Sequence, residues 1–377
     1  MQEMIERYIQ DLIRNSTPRR TAWNVEKIRE GQDVNWNYID GCMLTALTAM
    51  TEITGDDRYA SFVEEVADSF VRTDGTIDTF QPEKHVLDDY NEGRILFPMY
   101  ARTENEKYRK AAEMLYCSLM KQPRTAEGNF WHKVIYPNQV WLDGTYMALP
   151  FLAMYENTFG KGEIRDIMDQ LRNVREKMRD PETGLYYHGY DASRKAFWAD
   201  PETGLSRNFW LRAIGWYSVA LADLIELIPK GMEEREELGD TLRELMKSIS
   251  VYADSETGMY WQVVDQAGRE GNYQETSGSA MIACAMLKGA RLEVLDETFR
   301  EQGRKTFDGI MQNHLKVQDG IVELDNICLV AGLGPEDNRR RDGSYEYYVS
   351  EPVVSNDAKG TAPFVLCYTE IRRLNGQ

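Results

Sequence analysis

Apolar side chains recur every three or four residues along much of the chain. Ile164, Ile167, Leu171, Val174 and Met178 form one stripe, and Leu238, Leu242, Leu245, Ile249 and Tyr252 form another, each with charges between. Such stripes mark helices that cover a core with one face. The segments 145–155, 213–225 and 279–287 are instead apolar nearly all round, so they are expected to be buried on every face. The pattern predicts twelve helices, over 2–15, 36–54, 56–72, 91–103, 105–121, 143–158, 161–178, 208–228, 232–254, 277–288, 295–314 and 361–374. From the third pair onward, buried and amphipathic members alternate, as the inner and outer helices of a closed ring would. The expected fold is all-α: an (α/α)6 barrel of six helical hairpins with short strands in the loops at its mouth. No Gly/Pro/Ser-rich linker divides the chain, so one domain over 1–377 is expected.

A loose internal repeat refines this picture. The segment 181-PETGLYYHGYD-191 matches 255-SETGMYWQVVD-265 and, more loosely, 126-AEGNFWHKVIY-136. The copies are unevenly spaced, unlike a solenoid. Each follows an outer helix and precedes an inner one, with Gly for a turn and an aromatic-alternating run for a short strand. Four residues after each Gly stands a polar side chain: His132, His188 and Gln262. Equivalent loops around a ring aim these at one mouth.

Composition then narrows the chemistry. The 377 residues carry a formal charge of −18 with no basic stripe, which excludes a nucleic-acid partner and means that an acidic ligand needs local cations. The five cysteines, Cys42, Cys117, Cys284, Cys328 and Cys367, are an odd number and well separated, which suits reduced thiols. The first residues form a mixed-charge amphipathic helix without an apolar signal core, and no apolar run reaches membrane-spanning length. A cytoplasmic location away from the membrane is expected. No phosphate-cradling loop, dinucleotide fingerprint or nucleophile elbow is present, and no histidine spacing fits a metal, so neither metal nor organic cofactor is expected.

Candidate residues cluster where inner helices begin. Asp143, in 139-QVWLDGTYM-147, reads either as a helix cap or as a carboxyl walled by Trp141, Leu142 and Tyr146, a setting that suits a general acid. Asp88 and Asp89 precede another inner helix, and either is a second carboxylate or a cap. His85, His132 and His188 are three of only four histidines, all in predicted loops. Arg212 stands one turn into a nearly all-apolar helix and needs a carboxylate, from the protein or from a ligand. The strongly negative chain favours the ligand. Lys133 is a further cation of this kind. Trp36, Trp141 and Trp210 offer rings for sugar stacking or for packing.

These residues resemble those of the unsaturated rhamnogalacturonyl hydrolases, glycoside hydrolase family 105, which is related to family 88. The resemblance runs nearly end to end. It is strongest in WNYIDG (36–41), GNFWHK (128–133), VWLDGTYM (140–147), YYHGYD (186–191), FWLRAIGWY (209–217), ETSGSAM (275–281) and 341–360. It implies the same barrel, no cofactor, and hydration of the C4=C5 double bond of an unsaturated uronic acid at the non-reducing end of a pectin-derived oligosaccharide. It implies catalytic roles for Asp143 and Asp88. Substrate contacts are implied for Asn37, Tyr38, His132, Lys133, Trp141, His188, Trp210, Arg212 and Tyr345. Val134 and Ile135 are apolar where that family's members are more polar, which bears on the aglycone accepted. The rival readings are an unsaturated glucuronyl hydrolase acting on glycosaminoglycan-type products, an ordinary two-carboxylate glycosidase, and a non-catalytic sugar-binding barrel. A monomer or weak homo-oligomer is expected.

Overall fold

The computed structural model describes residues 2–376. Two helices, α1 (Gln2–Arg14) and the short α2 (Val25–Glu30), precede the first hairpin, α3 (Tyr38–Thr54) with α4 (Asp57–Phe70). In the second hairpin α5 (Asp88–Asn91), a 3-10 turn (Glu92–Ile95) and α6 (Leu96–Thr103) make one interrupted inner helix, followed by α7 (Glu106–Leu119). Strand β1 (Gln139–Trp141) leads into α8 (Leu142–Thr158) and α9 (Arg165–Met178), and β2 (Gly189–Asp191) precedes α10 (Leu211–Leu227) and α11 (Glu233–Ser250). Next come α12 (Thr276–Arg291) and α13 (Glu297–Asn313), then a hairpin of β3 (Leu315–Gln318) and β4 (Ile321–Leu324). The chain ends through β5 (Ile327–Cys328), α14 (Tyr345–Ser350), β6 (Val353–Val354) and α15 (Ala358–Leu374).

Inner helices α3, α5–α6, α8, α10, α12 and α15 contact one another in that order, and α15 returns to α3, closing the ring. The outer partner of α15 is α1: the Tyr8 hydroxyl meets Thr361 Oγ1 at 3.2 Å and the Tyr368 hydroxyl donates to Glu6 Oε1 at 2.8 Å. The protein is an (α/α)6 barrel, as its hydrophobic pattern predicts. The inner helices run parallel, so their partly positive N-terminal ends converge on one mouth. No helix among the described residues is long and apolar enough to cross a membrane.

Three outer and three inner helices start differently. Outer helices α4, α7 and α13 are capped by Asp56, Asn105 and Asp296, whose side chains accept from an N–H two residues on. Inner helices α5, α8 and α10 have no side-chain cap. Loop carbonyls replace it: Leu87 N donates to His132 O at 3.1 Å, Leu142 N to His188 O at 3.0 Å and Leu211 N to Gln262 O at 3.1 Å. The repeat residues therefore cap, through their backbones, the inner helix before them. Just ahead of those helices Val86, Trp141 and Trp210 bridge to Lys133, Gly189 and Val263.

The repeat turns at 180–184 and 254–258, with a further turn at 200–204, share one device. Asp180, Asp200 and Asp254 accept from the N–H of Thr183, Thr203 and Thr257 at 2.7, 2.7 and 2.8 Å, and the next residue is a glycine with φ of 73°, 81° and 71°. Only glycine takes that conformation without strain. Inside α8, Pro150 lacks the N–H that would bond Tyr146 O, and Asn91 Nδ2 on the neighbouring inner helix donates there instead, at 3.4 Å.

Candidate active site

Because loop carbonyls cap α5 and α8, the acids in their first turns are released from that duty. Asp143 caps nothing. Its Oδ2 is buried without a hydrogen-bond partner and lies 3.3 Å from His188 Nε2, itself unpartnered. His188 Nδ1 meets the Tyr348 hydroxyl at 2.7 Å. With the hydroxyl donating, the imidazole proton sits on Nε2 and faces Asp143. A buried polar pair left short of good hydrogen bonds is what a site awaiting a ligand presents.

Asp88 occupies the equivalent place one hairpin earlier. Its Oδ2 is 2.6 Å from Lys133 Nζ and its Oδ1 is 3.6 Å from His132 Nε2. Burial works to raise Asp88, but Lys133 outweighs it and holds the carboxyl below its ordinary range. Burial also pulls His132 down to about 4, against the attraction of Asp88, so this imidazole is neutral near pH 7 and Lys133 is the effective counter-charge. The mouth thus holds one carboxylate fixed by a cation and another, Asp143, facing only an imidazole. Gly144 permits the close fit: a Cβ there would stand 3.0 Å from Leu87 Cδ1 and 3.3 Å from His132 Nδ1.

The sequence model of Glycosyl Hydrolase Family 88 matches residues 10–375. The chain belongs to this family. A C. acetobutylicum glycoside hydrolase from family 105 superposes on the family 88 chain with a TM-score of 0.89 and 39% identity, over 98% of each chain. The unsaturated rhamnogalacturonyl hydrolase YesR of Bacillus subtilis is 26% identical over 267 residues, 69% of this chain and 72% of the relative. The unsaturated glucuronyl hydrolase of Bacillus sp. GL1 shares the fold, with a TM-score of 0.69 and 16% identity over 100% of this chain and 97% of that one. The protein is a glycoside hydrolase of the family 88/105 type.

The structure brings Asp88, His132, Lys133, Asp143 and His188 together, the two histidines being the ones the repeat aims at the mouth, with Asn37 and Tyr38 half-buried beside them. Asn37 caps α3, accepting from Ile39 N at 3.3 Å, and its Nδ2 reaches Asp89 Oδ1 at 3.5 Å. Other expectations change. Trp36 is wholly buried, Trp141 is 5% exposed and Trp210 1%, so none of the three offers an open face to a sugar. Both His132 and Tyr136 stack on Trp141, at 4.3 and 4.8 Å between centroids, while Trp210 stacks on Tyr348 at 5.8 Å and donates Nε1 to Gln262 Oε1 at 3.2 Å. These rings wall the histidines. Tyr345 turns away from the mouth: its hydroxyl lies 3.1 and 2.9 Å from the carbonyls of Arg269 and Glu270, tying α14 to the loop before α12. Tyr348, one turn on, is the residue that reaches the site, and the run of tyrosines in 345-YEYY-348 hid it.

Arg212 also needs correction. It is 1% exposed and donates to Ser277 Oγ at 3.2 Å, to the Cys328 carbonyl and to Leu329 O at 3.5 Å. Ser277 Oγ in turn bonds Glu275 Oε1 at 2.7 Å, and Glu275 is fully buried. The cation therefore has a protein carboxylate one hydroxyl away.

Two predictions arise here. Tyr348→Phe removes the bond that orients His188 and should lower kcat about tenfold while costing only about 1 kcal/mol of stability. Unchanged kcat would show that His188 needs no such orientation. Asp89 is pushed up to about 7, first by burial and then by the charge of Asp88. An acid raised in the folded state costs nothing below its unfolded value of about 3.9, costs progressively more as pH rises towards 7, and a constant amount above. Asp89→Asn should therefore melt higher than wild type at pH 8 and converge with it near pH 4. A gap independent of pH would exclude Asp89 as the titrating group.

Proposed function

We propose that this hydrolase releases a 4,5-unsaturated uronic acid from the non-reducing end of rhamnogalacturonan-derived oligosaccharides. The observation that carries the reading is the contrast between the two buried carboxyl groups. Asp88, paired with Lys133, is fixed as an anion, and Asp143, beside the His188 imidazole and without a cation at hydrogen-bond distance, is left to move a proton. Asp143 delivers its proton to C4 of the vinyl ether, and positive charge develops at C5 and the ring oxygen. The Asp143 carboxylate then takes a proton from the water that attacks C5. The product hemiketal opens, and the aglycone sugar leaves with its hydroxyl. Net consumption is one water, and no group outside the chain is required.

Support for the rhamnogalacturonan side comes from the kinship with YesR and from the rim. Val134 and Ile135, directly after Lys133, are 39% and 60% exposed. An apolar rim suits the methyl group of a 6-deoxy sugar better than a sulfated or acetylated amino sugar. The test follows the ultraviolet absorbance of the conjugated double bond. It should disappear with rhamnogalacturonan-derived unsaturated disaccharide and persist with the chondroitin-derived one. The reverse result makes this an unsaturated glucuronyl hydrolase. Cleavage of saturated substrates alone makes it an ordinary glycosidase, and binding without turnover a sugar-binding barrel.

A further inference from the structure

We propose that Arg341 supplies the positive charge that receives the carboxylate of the bound uronic acid, at the edge of the Trp141 ring. The assignment rests on the unsaturated-uronide reading above. A substrate acid entering a chain of net charge −18 needs a cation that is not already neutralised. Lys133 is held by Asp88 at 2.6 Å. Lys359 is held by Glu26 at 2.7 Å and by Asp357 at 3.0 Å. Arg212 is sealed beneath its carbonyls.

Arg341 differs from all three. It stands in the loop between β5 and α14, as the last of three consecutive arginines. Arg339 and Arg340 are each paired at 2.5 Å, with Glu336 and Glu351. Arg341 is half-buried, yet its guanidinium makes no hydrogen bond or ion pair among the described residues. None of its nitrogens is among the buried unpartnered atoms, so they remain open to a ligand. The guanidinium and the Trp141 ring both border Gly332: a Cβ there would stand 3.4 Å from Arg341 Nη1 and 3.3 Å from Trp141 Cζ3, so guanidinium and ring edge flank the same glycine. Trp141 stacks on His132 at 4.3 Å and lies two residues before Asp143. Glu26 feels this cation, though far less than it feels Lys359. Burial works to raise Glu26, but Lys359 in contact, with Arg212 and Arg341 farther off, holds it below its ordinary range.

The loop is also preset. Gly334 N donates to Arg341 O at 2.7 Å, Gly332 N to the Tyr347 hydroxyl at 2.9 Å, and Asn208 Nδ2 to Gly343 O at 2.7 Å. A guanidinium on a tethered backbone meets a planar carboxylate through two parallel N–H bonds with little further ordering. The chemistry recognised is a carboxylate on the sugar ring.

The test compares kcat/KM for an unsaturated uronyl disaccharide and for its uncharged methyl ester, in wild type, Arg341→Gln and Arg341→Lys. Wild type should prefer the acid. Arg341→Gln should lose roughly 10–100-fold on the acid and little on the ester, so the preference collapses. Arg341→Lys should restore part of it, and melting temperatures should match. Equal losses on both substrates would show that Arg341 merely supports Trp141, and a preserved preference would place the anchor elsewhere; either overturns the assignment. Wild type inert toward both substrates overturns the functional reading itself, and this assignment with it.

Discussion

Asp143→Asn is expected to lose turnover by about 10²–10⁴-fold or more, while folding and substrate binding survive. The reasoning begins with capping. Had Asp143 been the N-cap of α8, its replacement by Asn would preserve the bond and change little, since Asn caps as well as Asp. The N-cap is Trp141, and the first N–H of the helix is taken by the carbonyl of His188. The carboxyl is therefore free of local structural duty, and its buried Oδ2 has only His188 Nε2 close by, at 3.3 Å. Asn keeps the shape but cannot give a proton to carbon or take one from water. Single-turnover kinetics on the unsaturated disaccharide, with a melt as control, measure the effect. A near-wild-type rate would move the acid to Asp88 or Asp89 and remove the basis of the proposed mechanism.

The barrel was legible because inner and outer helices bury different fractions of their surfaces, and that difference is written directly into the spacing of apolar residues. The interrupted helix at 88–103 was less so. Glu92, Gly93 and Arg94 are all buried there, against the usual rule for charges, and the 3-10 turn they form has no 3.6-residue stripe. Helices α2 and α14 and the hairpin β3–β4 are too short to show a period. The repeat brings His132 beside Asp88 and His188 beside Asp143, while its third member, Gln262, bonds Trp210 and the Tyr348 carbonyl. A further copy of its turn, at Asp200–Gly204, breaks the repeat's pattern because it sits inside the loop between β2 and α10 rather than after an outer helix. The site carried one more readable signal: Leu-Asp at 87–88, Leu-Asp at 142–143 and Leu-Arg at 211–212 are equivalent starts of inner helices, each capped by the next loop. The tryptophans misled because sequence cannot say which faces a ring has already spent on its neighbours.

Arg212→Met separates fold from function at the third of those starts, and the fold should suffer. Sequence reasoning offers two partners for this buried cation, and the strongly negative chain points to the substrate. The structure supplies the other: Glu275, reached through Ser277, with the carboxylate further held by Ser277 N at 3.0 Å, Gly278 N at 2.7 Å and Cys328 N at 3.0 Å. Glu275 and Arg212 together leave this region neutral although both are buried. Removing the cation leaves a buried anion with no compensating charge, and it leaves the Cys328 and Leu329 carbonyls without their donor. Some cost is recovered, because the guanidinium no longer has to be desolvated, but stranding one member of a buried pair usually dominates, at about 3–5 kcal/mol. A substantial fall in melting temperature is expected, with kcat/KM on the acid substrate falling far less in the protein that remains folded. The opposite pattern, an unchanged melt with a large kinetic loss on the acid but not on its ester, would return the anchor to Arg212. It would also remove the elimination on which the case for Arg341 begins. The two arginines thus make one experiment: Arg212 is expected to move the melting curve, and Arg341 the preference for a charged sugar.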